Sequence, residues 1–198
     1  MVEKDSAYLQ LKHRPEEAAP RQSIQAPEVV ESIPNIDHRY GDTRAEVLGI
    51  AVLDANARPV QLLEPGTRIV VRISVRARQD VPLPIVGFML RNHLGIDFSG
   101  TNTARLGVEL LPMSRGDVCT VDFHLQLPHL YPGSFSLSPA IADGTLTSYR
   151  MCDWIDNAIA LQMGHGSGEV YGYMHLPCRV EVNSQLKAQN QLPETMID

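Results

Sequence analysis

Over much of the chain, hydrophobic residues alternate with polar or small ones at the two-residue period of half-buried strands. The clearest example lies in residues 84–103, where Val86, Phe88 and Leu90 alternate with Gly87, Met89 and Arg91. His93, Leu94 and Gly95 make a short turn, with Gly95 free to take positive φ. Ile96 and Phe98 then alternate with Asp97, Ser99 and Thr101. Folded back as a hairpin, this stretch is expected to present a core face of Val86, Phe88, Leu90, Ile96 and Phe98. Its polar face would carry Gly87, Met89, Arg91, Asp97, Ser99 and Thr101, with Arg91 opposite Asp97 as a cross-strand ion pair. Such a face is either a solvated exterior or a planar polar surface suited to a sugar, and the pattern leaves both open.

The same period recurs on both sides of the hairpin. Leu48, Ile50 and Val52 alternate with Gly49, Ala51 and Leu53 before a turn at residues 54–56. In residues 68–78, Ile69, Val71, Ile73, Val75 and Ala77 face one way and Arg68, Arg72, Ser74, Arg76 and Arg78 the other. A basic strand face of this kind is solvated unless the ligand is anionic. A short strand is expected at residues 108–111. Cys119, Val121, Phe123, Leu125 and Leu127 form a further core face opposite Thr120, Asp122, His124 and Gln126. Phe135, Leu137 and Ile141 continue the core, and strands are expected at residues 147–156 and 159–163. About nine short strands separated by Gly and Pro turns, with no convincing amphipathic helix, read as an antiparallel β-sandwich, an all-β fold.

The ends differ in texture. Residues 1–37 carry Pro15, Pro20, Pro27 and Pro34 among Glu, Gln, Ala and Arg, a composition that reads as a linker or arm. Val29, Val30 and Ile33 are the residues able to dock part of it. The sandwich is expected to span residues 38–183 and a disordered tail residues 184–198. Gly164, His165, Gly166, Ser167 and Gly168 form a flexible hinge, and the apolar stretch beyond it, with Val170, Tyr171, Tyr173, Met174 and Leu176, is strand-like. That stretch can fold back on its own sandwich or pair with an open edge of a neighbour's.

Composition narrows the chemistry. A net charge of −6 across 198 residues argues against a nucleic-acid partner, which needs clustered Lys and Arg. No apolar run approaches the roughly 20 residues of a membrane span, and there is no secretory signal. Three cysteines, Cys119, Cys152 and Cys178, have no metal or redox spacing and suit a reducing, cytoplasmic compartment. There is no G-x-x-x-x-G-K-[ST] loop for nucleotide phosphates, no paired histidines for a metal and no G-x-S-x-G elbow, so no cofactor is expected. Asp97, Asp143, Asp153 and Asp156 leave a glycosidase pair open. The most distinctive cluster is residues 149–157, Y-R-M-C-D-W-I-D-N, which holds the only Trp. Trp154 is either a platform for the apolar face of a pyranose, with neighbouring carboxylates taking the hydroxyls, or a core residue of the sandwich.

Three separated stretches together carry a resemblance: R-Y-G-D-x-R-A-E-V-L-G at residues 39–49, V-G-F-M-L-R-N-x-L-G-x-D-x-x-G-T-N-T at 86–103 and D-W-I-D-N-A at 153–158. The chain resembles the C-terminal domain of Wzt-type ATPase subunits of ABC transporters that export O-antigen polysaccharide, over residues 39–182. The resemblance implies an immunoglobulin-like or jelly-roll sandwich that binds the exported glycan without catalysis, often at its modified non-reducing end. It also implies a homodimer that exchanges the C-terminal strand. The remaining partners would be an upstream ATPase domain and a membrane-spanning subunit, at the cytoplasmic face of a Gram-negative inner membrane. The linker-like start and the missing phosphate loop are those expected of an excised domain. Motifs shared among exporters of different glycans should mostly hold framework, because specificity must differ. The candidate carbohydrate-binding residues are therefore of two kinds. Arg91, Asp97, Ser99, Asn102, Asp122 and His124 come from the polar strand faces; Tyr149, Asp153 and Trp154 come from the polar-aromatic cluster. The alternatives are a glycan-acting enzyme and a sandwich that mediates protein contacts.

Overall fold

The computed structural model describes residues 27–166, 170, 172–175 and 178–182. Among them are ten strands and no helix, hence no helix long and apolar enough to cross a membrane. The first five are β1 (His38–Tyr40), β2 (Ala45–Leu53), β3 (Leu62–Leu63), β4 (Arg68–Ala77) and β5 (Pro84–Asn92). The others are β6 (Asp97–Asn102), β7 (Val118–Gln126), β8 (Gly133–Gly144), β9 (Tyr149–Asp156) and β10 (Ile159–Met163). They build an all-β sandwich.

One layer is a three-stranded antiparallel sheet in the order β2-β4-β7. The seven-stranded layer is organised by β8, whose 12 residues are enough to serve three neighbours. Strand β5 pairs along one edge of β8, and β6 pairs outside β5. The other edge of β8 is divided: β10 takes its first half, from Gly133 to Leu137, and β9 its second, from Ala140 to Gly144. Strand β1 flanks β9, and β3 runs parallel to β10.

Between the layers lies one apolar core. Ile50, Val52, Val71, Ile73 and Val75 of the smaller sheet face Val86, Leu137, Ile141 and Ile155 of the larger. Phe88 meets Phe123 edge-to-face across it, with ring centroids 5.3 Å apart. The β-branched residues that dominate these strands suit a pleated surface buried on one side.

Three bulges correct the simple alternation; one, opposite Ile141 and Ala142 of β8, makes Cys152 of β9 the extra residue, so Cys152 and Asp153 are both buried. In β2 the register with β4 shifts between Val47 and Gly49, so Val47 and Ile50 both point inward and Leu48 is left half-buried at the extra position. In the β5–β6 hairpin, Leu90 pairs with Ser99 but Arg91 with Asp97, which makes Phe98 the extra residue. Beyond it, Ser99 and Thr101 share the side of Leu90 and Phe88, while Gly100 and Asn102 take the outer side opposite Met89 and Gly87. Ser99 and Thr101 therefore leave the Arg91 face expected for them, and Ile96 is 50% exposed rather than in the core. Phe98 keeps its core contact, edge-on to Phe135. Residues 108–111 form no strand; they run to Met113, which bridges Val81.

The arm is seated from residue 30 onward. The Val30 N–H donates to Ser74 Oγ at 2.8 Å, and the Ile50 N–H to the Ser32 carbonyl at 3.0 Å. A Cβ on Gly49 would lie 2.5 Å from the Val30 carbonyl oxygen, so the arm's close approach needs glycine there. Further along, Met174 bridges Leu130 of the same chain, with the Tyr131 and His175 N–H groups donating to the Tyr173 and His129 carbonyls; residues 167 and 168 of the expected hinge lie outside the described residues. The expected tail, residues 184–198, lies outside the described residues, as do residues 1–26 of the expected linker.

Candidate functional site

The outer face of the seven-stranded sheet carries a transverse row that the registers align: Tyr40, Trp154, Ala140, Gly87, Asn102, one from each of β1, β9, β8, β5 and β6. Its middle has almost no side chain. Gly87 cannot carry one, because a Cβ there would sit 2.5 Å from both the Asn102 Cβ and the Thr101 carbonyl oxygen. Ala142 and Gly100 extend the bare floor on either side, and larger side chains rise around it. The result is a groove of about 340 Å³, walled by Trp154, Met151, Leu146, Tyr149, Met89 and Arg105. None of its lining residues is acidic.

Trp154 is half-buried on this outer face, which places it outside the core. Its indole Nε1–H donates to Asp156 Oδ1 at 2.9 Å, and Tyr40 stacks beside it with ring centroids 6.0 Å apart. Burial, with the nearby Asp156 carboxylate, raises the Tyr40 phenol above its ordinary pKa. Arg91 donates to Asp97 at 2.7 and 3.1 Å in the expected cross-strand pair, and lies 3.2 Å from Asp156 Oδ1. Its guanidinium pKa is raised chiefly by the bond to Asp97. An aromatic face beside a shallow floor, with fixed polar groups at one edge, can hold a sugar ring by stacking and orient it by hydrogen bonds.

Of the candidate residues, the structure brings Asn102, Tyr149 and Trp154 to this groove, with Arg91 and Asp97 next to it through Asp156. Asn102 spends its side-chain oxygen on the Arg105 N–H at 2.8 Å, which shapes the turn that carries Arg105. Ser99 is exposed on β6, turned away by the bulge. Asp122 and His124 lie on the outer face of the other sheet, where Asp122 is paired with Arg72 through two bonds of 2.8 Å. They line a separate groove on that side, with Arg68 and Gln126. Asp153 corrects its expectation most directly. It faces inward, 5% exposed, and its carboxylate is taken up by Arg39 and the Val47 N–H, so it does not reach the groove.

The Wzt C-terminal domain family model matches residues 37–176, from the entry into β1 to just past the Leu130–Met174 bridge. The chain belongs to that family. A solved structure, the C-terminal domain of wzt, superposes with a TM-score of 0.69 at 21% identity, covering 81% of this chain and 100% of that one. No curated protein matches the chain.

Within this Wzt C-terminal domain, sequence reasoning passed over Tyr40, Leu146 and Arg105, and it named Met89, Met151 and Asp156 without counting them among the binding residues. One signal for the floor was present. Ser136, Ser138, Ala140 and Ala142 recur at every second residue of a strand whose other side is Phe135, Leu137 and Ile141. Small residues along the outward side of a central strand mark a flat surface on which something can lie close to the backbone.

Proposed function

We propose that this domain is a non-catalytic carbohydrate-binding module that recognises O-antigen polysaccharide, at its non-reducing end, for export by an ABC transporter. Membership of the Wzt C-terminal family supports a carbohydrate-binding role within an ABC transporter. The observation that carries the reading to a place on the molecule is Trp154, which stands at the wall of a groove floored by Gly87, Ala140 and Ala142. An indole can stack against the apolar C–H face of a pyranose, and an indole held by Asp156 is already oriented for it.

A glycosidase reading fits less well. Of the four carboxylates that would serve it, Asp97 is committed to Arg91, Asp143 to Arg44 and Asp153 to Arg39, which leaves Asp156, itself bonded to the Trp154 indole, without a second carboxylate to pair with. No Asp or Glu lines the groove to act as acid or nucleophile. The proposed partners are the ATPase domain and the membrane-spanning subunit of the transporter, which places the domain at the cytoplasmic face of the inner membrane. The proposed assembly is a homodimer. The stretch at residues 173–175 is joined to residues 129–131 by few backbone bonds, so the same pairing is open to a neighbouring copy by exchange. Micromolar light scattering tests it, and a monomer there removes the exchange.

Titration with the source organism's own O-polysaccharide, intact and with its terminal cap removed, tests the glycan reading. Trp154 is the only Trp, so its emission reports occupancy directly. Saturable quenching by the intact polymer is expected in the wild type, and because Trp154→Ala carries no Trp, its affinity is read by calorimetry, where binding should be lost. Binding that is unchanged in folded Trp154→Ala, or indifferent to the cap, moves the site or the specificity elsewhere.

A further inference from the structure

We infer that Asp156 is the residue that both fixes the Trp154 platform and contacts the sugar laid on it. The inference rests on the reading of the Trp154 groove as the glycan site. Asp156 is two residues beyond Trp154 on the same strand and so lies on the same outer side, opposite His38 of β1. Its two oxygens are used differently. Oδ1 accepts from the indole Nε1–H at 2.9 Å and lies 3.2 Å from Arg91 Nη2. Oδ2 lies 3.7 Å from His38 Nδ1, beyond hydrogen-bond length.

Each group around Asp156 is held in turn. Arg91 is clamped by Asp97 through two bonds, and the following residue, Asn157, bonds Ser136 and Asp37 at 2.6 and 2.7 Å. The carboxylate therefore cannot swing without breaking the bonds at Oδ1. Its side chain is 17% exposed beside the aromatic pair Tyr40–Trp154, and Oδ2 has no hydrogen-bond partner among the described residues. A pyranose stacked on the indole carries its hydroxyls around the ring's edge. A hydroxyl directed at Oδ2 donates a charge-assisted bond to an acceptor whose orientation is already set.

The test is a pair of variants read by two signals, Trp154 emission and polysaccharide affinity. In Asp156→Ala the indole loses its partner. Its emission should shift to the red with increased acrylamide quenching, and affinity for the isolated O-polysaccharide should fall about tenfold or more. In Asp156→Asn an oxygen remains for the indole, so emission should stay near wild type while affinity still falls several-fold. Should the alanine variant not fold, the isosteric asparagine variant decides alone. Wild-type affinity in Asp156→Asn, or in folded Asp156→Ala, overturns the inference. Wild-type affinity in Trp154→Ala is the separate result that would overturn the groove as the glycan site.

Discussion

Arg39 grips Asp153 with two parallel hydrogen bonds, Nε to Oδ1 at 2.9 Å and Nη2 to Oδ2 at 2.7 Å. The same pair reaches the other layer of the sandwich. Asp153 Oδ2 accepts the Val47 N–H at 2.7 Å, and Arg39 Nη2 donates to the Val47 carbonyl at 3.2 Å. One ion pair thus satisfies backbone groups where the β2 bulge interrupts the ladder with β4.

Removing that carboxylate should cost stability rather than recognition. Asp153→Ala leaves a guanidinium and a buried N–H without their acceptor, worth about 3 kcal/mol. The melting temperature should drop by roughly 6–12 °C for a domain of this size. Circular dichroism melts check it, and an unchanged midpoint would show that Arg39 finds water as good a partner.

Gly87→Ala should separate β6 from β5. The added methyl would lie 2.5 Å from the Asn102 Cβ and from the Thr101 carbonyl oxygen, so backbone must shift, at about 1–3 kcal/mol. Gly95→Ala is the comparison: its φ of 78° is left-handed but nothing lies within 4 Å, so only the conformational cost of about 1 kcal/mol applies. Urea unfolding should rank the first variant below the second.

Acid should weaken the fold through Glu46. Hydrogen bonds from Arg78 and then Arg76 hold its carboxyl below the ordinary value of 4.5. A depressed folded-state pKa contributes stability above 4.5 that is lost as the pH falls through the folded value. The melting temperature of the wild type should therefore decline as the pH is lowered past 4.5, and that of Glu46→Gln should decline less steeply. Parallel curves would assign the acid sensitivity to other carboxylates.

The cysteines should differ sharply in reactivity. Burial pushes the Cys152 thiol up to about 11 and raises that of Cys119, whereas Cys178 is exposed. At neutral pH a thiol reagent should modify one cysteine quickly in the folded protein and all three after unfolding. Cys178→Ser should abolish the fast phase, and its persistence would mean that the sandwich opens around Cys119.

What the sequence made legible follows from where its information is local. The cores of β4, β5 and β7 stand out because apolar residues keep one side without interruption. The bulges at Leu48 and Phe98 were invisible: one extra residue flips every position beyond it, and alternation read from either end looks intact. Residues 108–111 alternate like a strand but have no neighbouring edge to pair with. The two-residue β3 exists because β10 runs beside it, not because of its own composition. Trp154 and Asp153 had to point opposite ways. Ile155 and Asp153 share the inward side, so the apolar Ile155 held the answer. What made Trp154 part of the candidate site was its alignment with Tyr40, Ala140 and Gly87, residues brought together only by pairing across the chain.

The bare floor of the groove has a consequence for how such a domain can change. Gly87, Ala140 and Ala142 present little beyond backbone, so the floor sets how closely a ring can approach and says nothing about which ring it is. On the proposed reading, chemical identity would be read by Leu146 and Tyr149, at and just after the turn between β8 and β9, and by Arg105 in the turn after β6. All three are exposed, where exchange of a side chain typically alters folding stability by no more than about 0.5 kcal/mol. If the groove holds the glycan as proposed, ligand preference can change by single substitutions at these turns, with the sandwich beneath undisturbed.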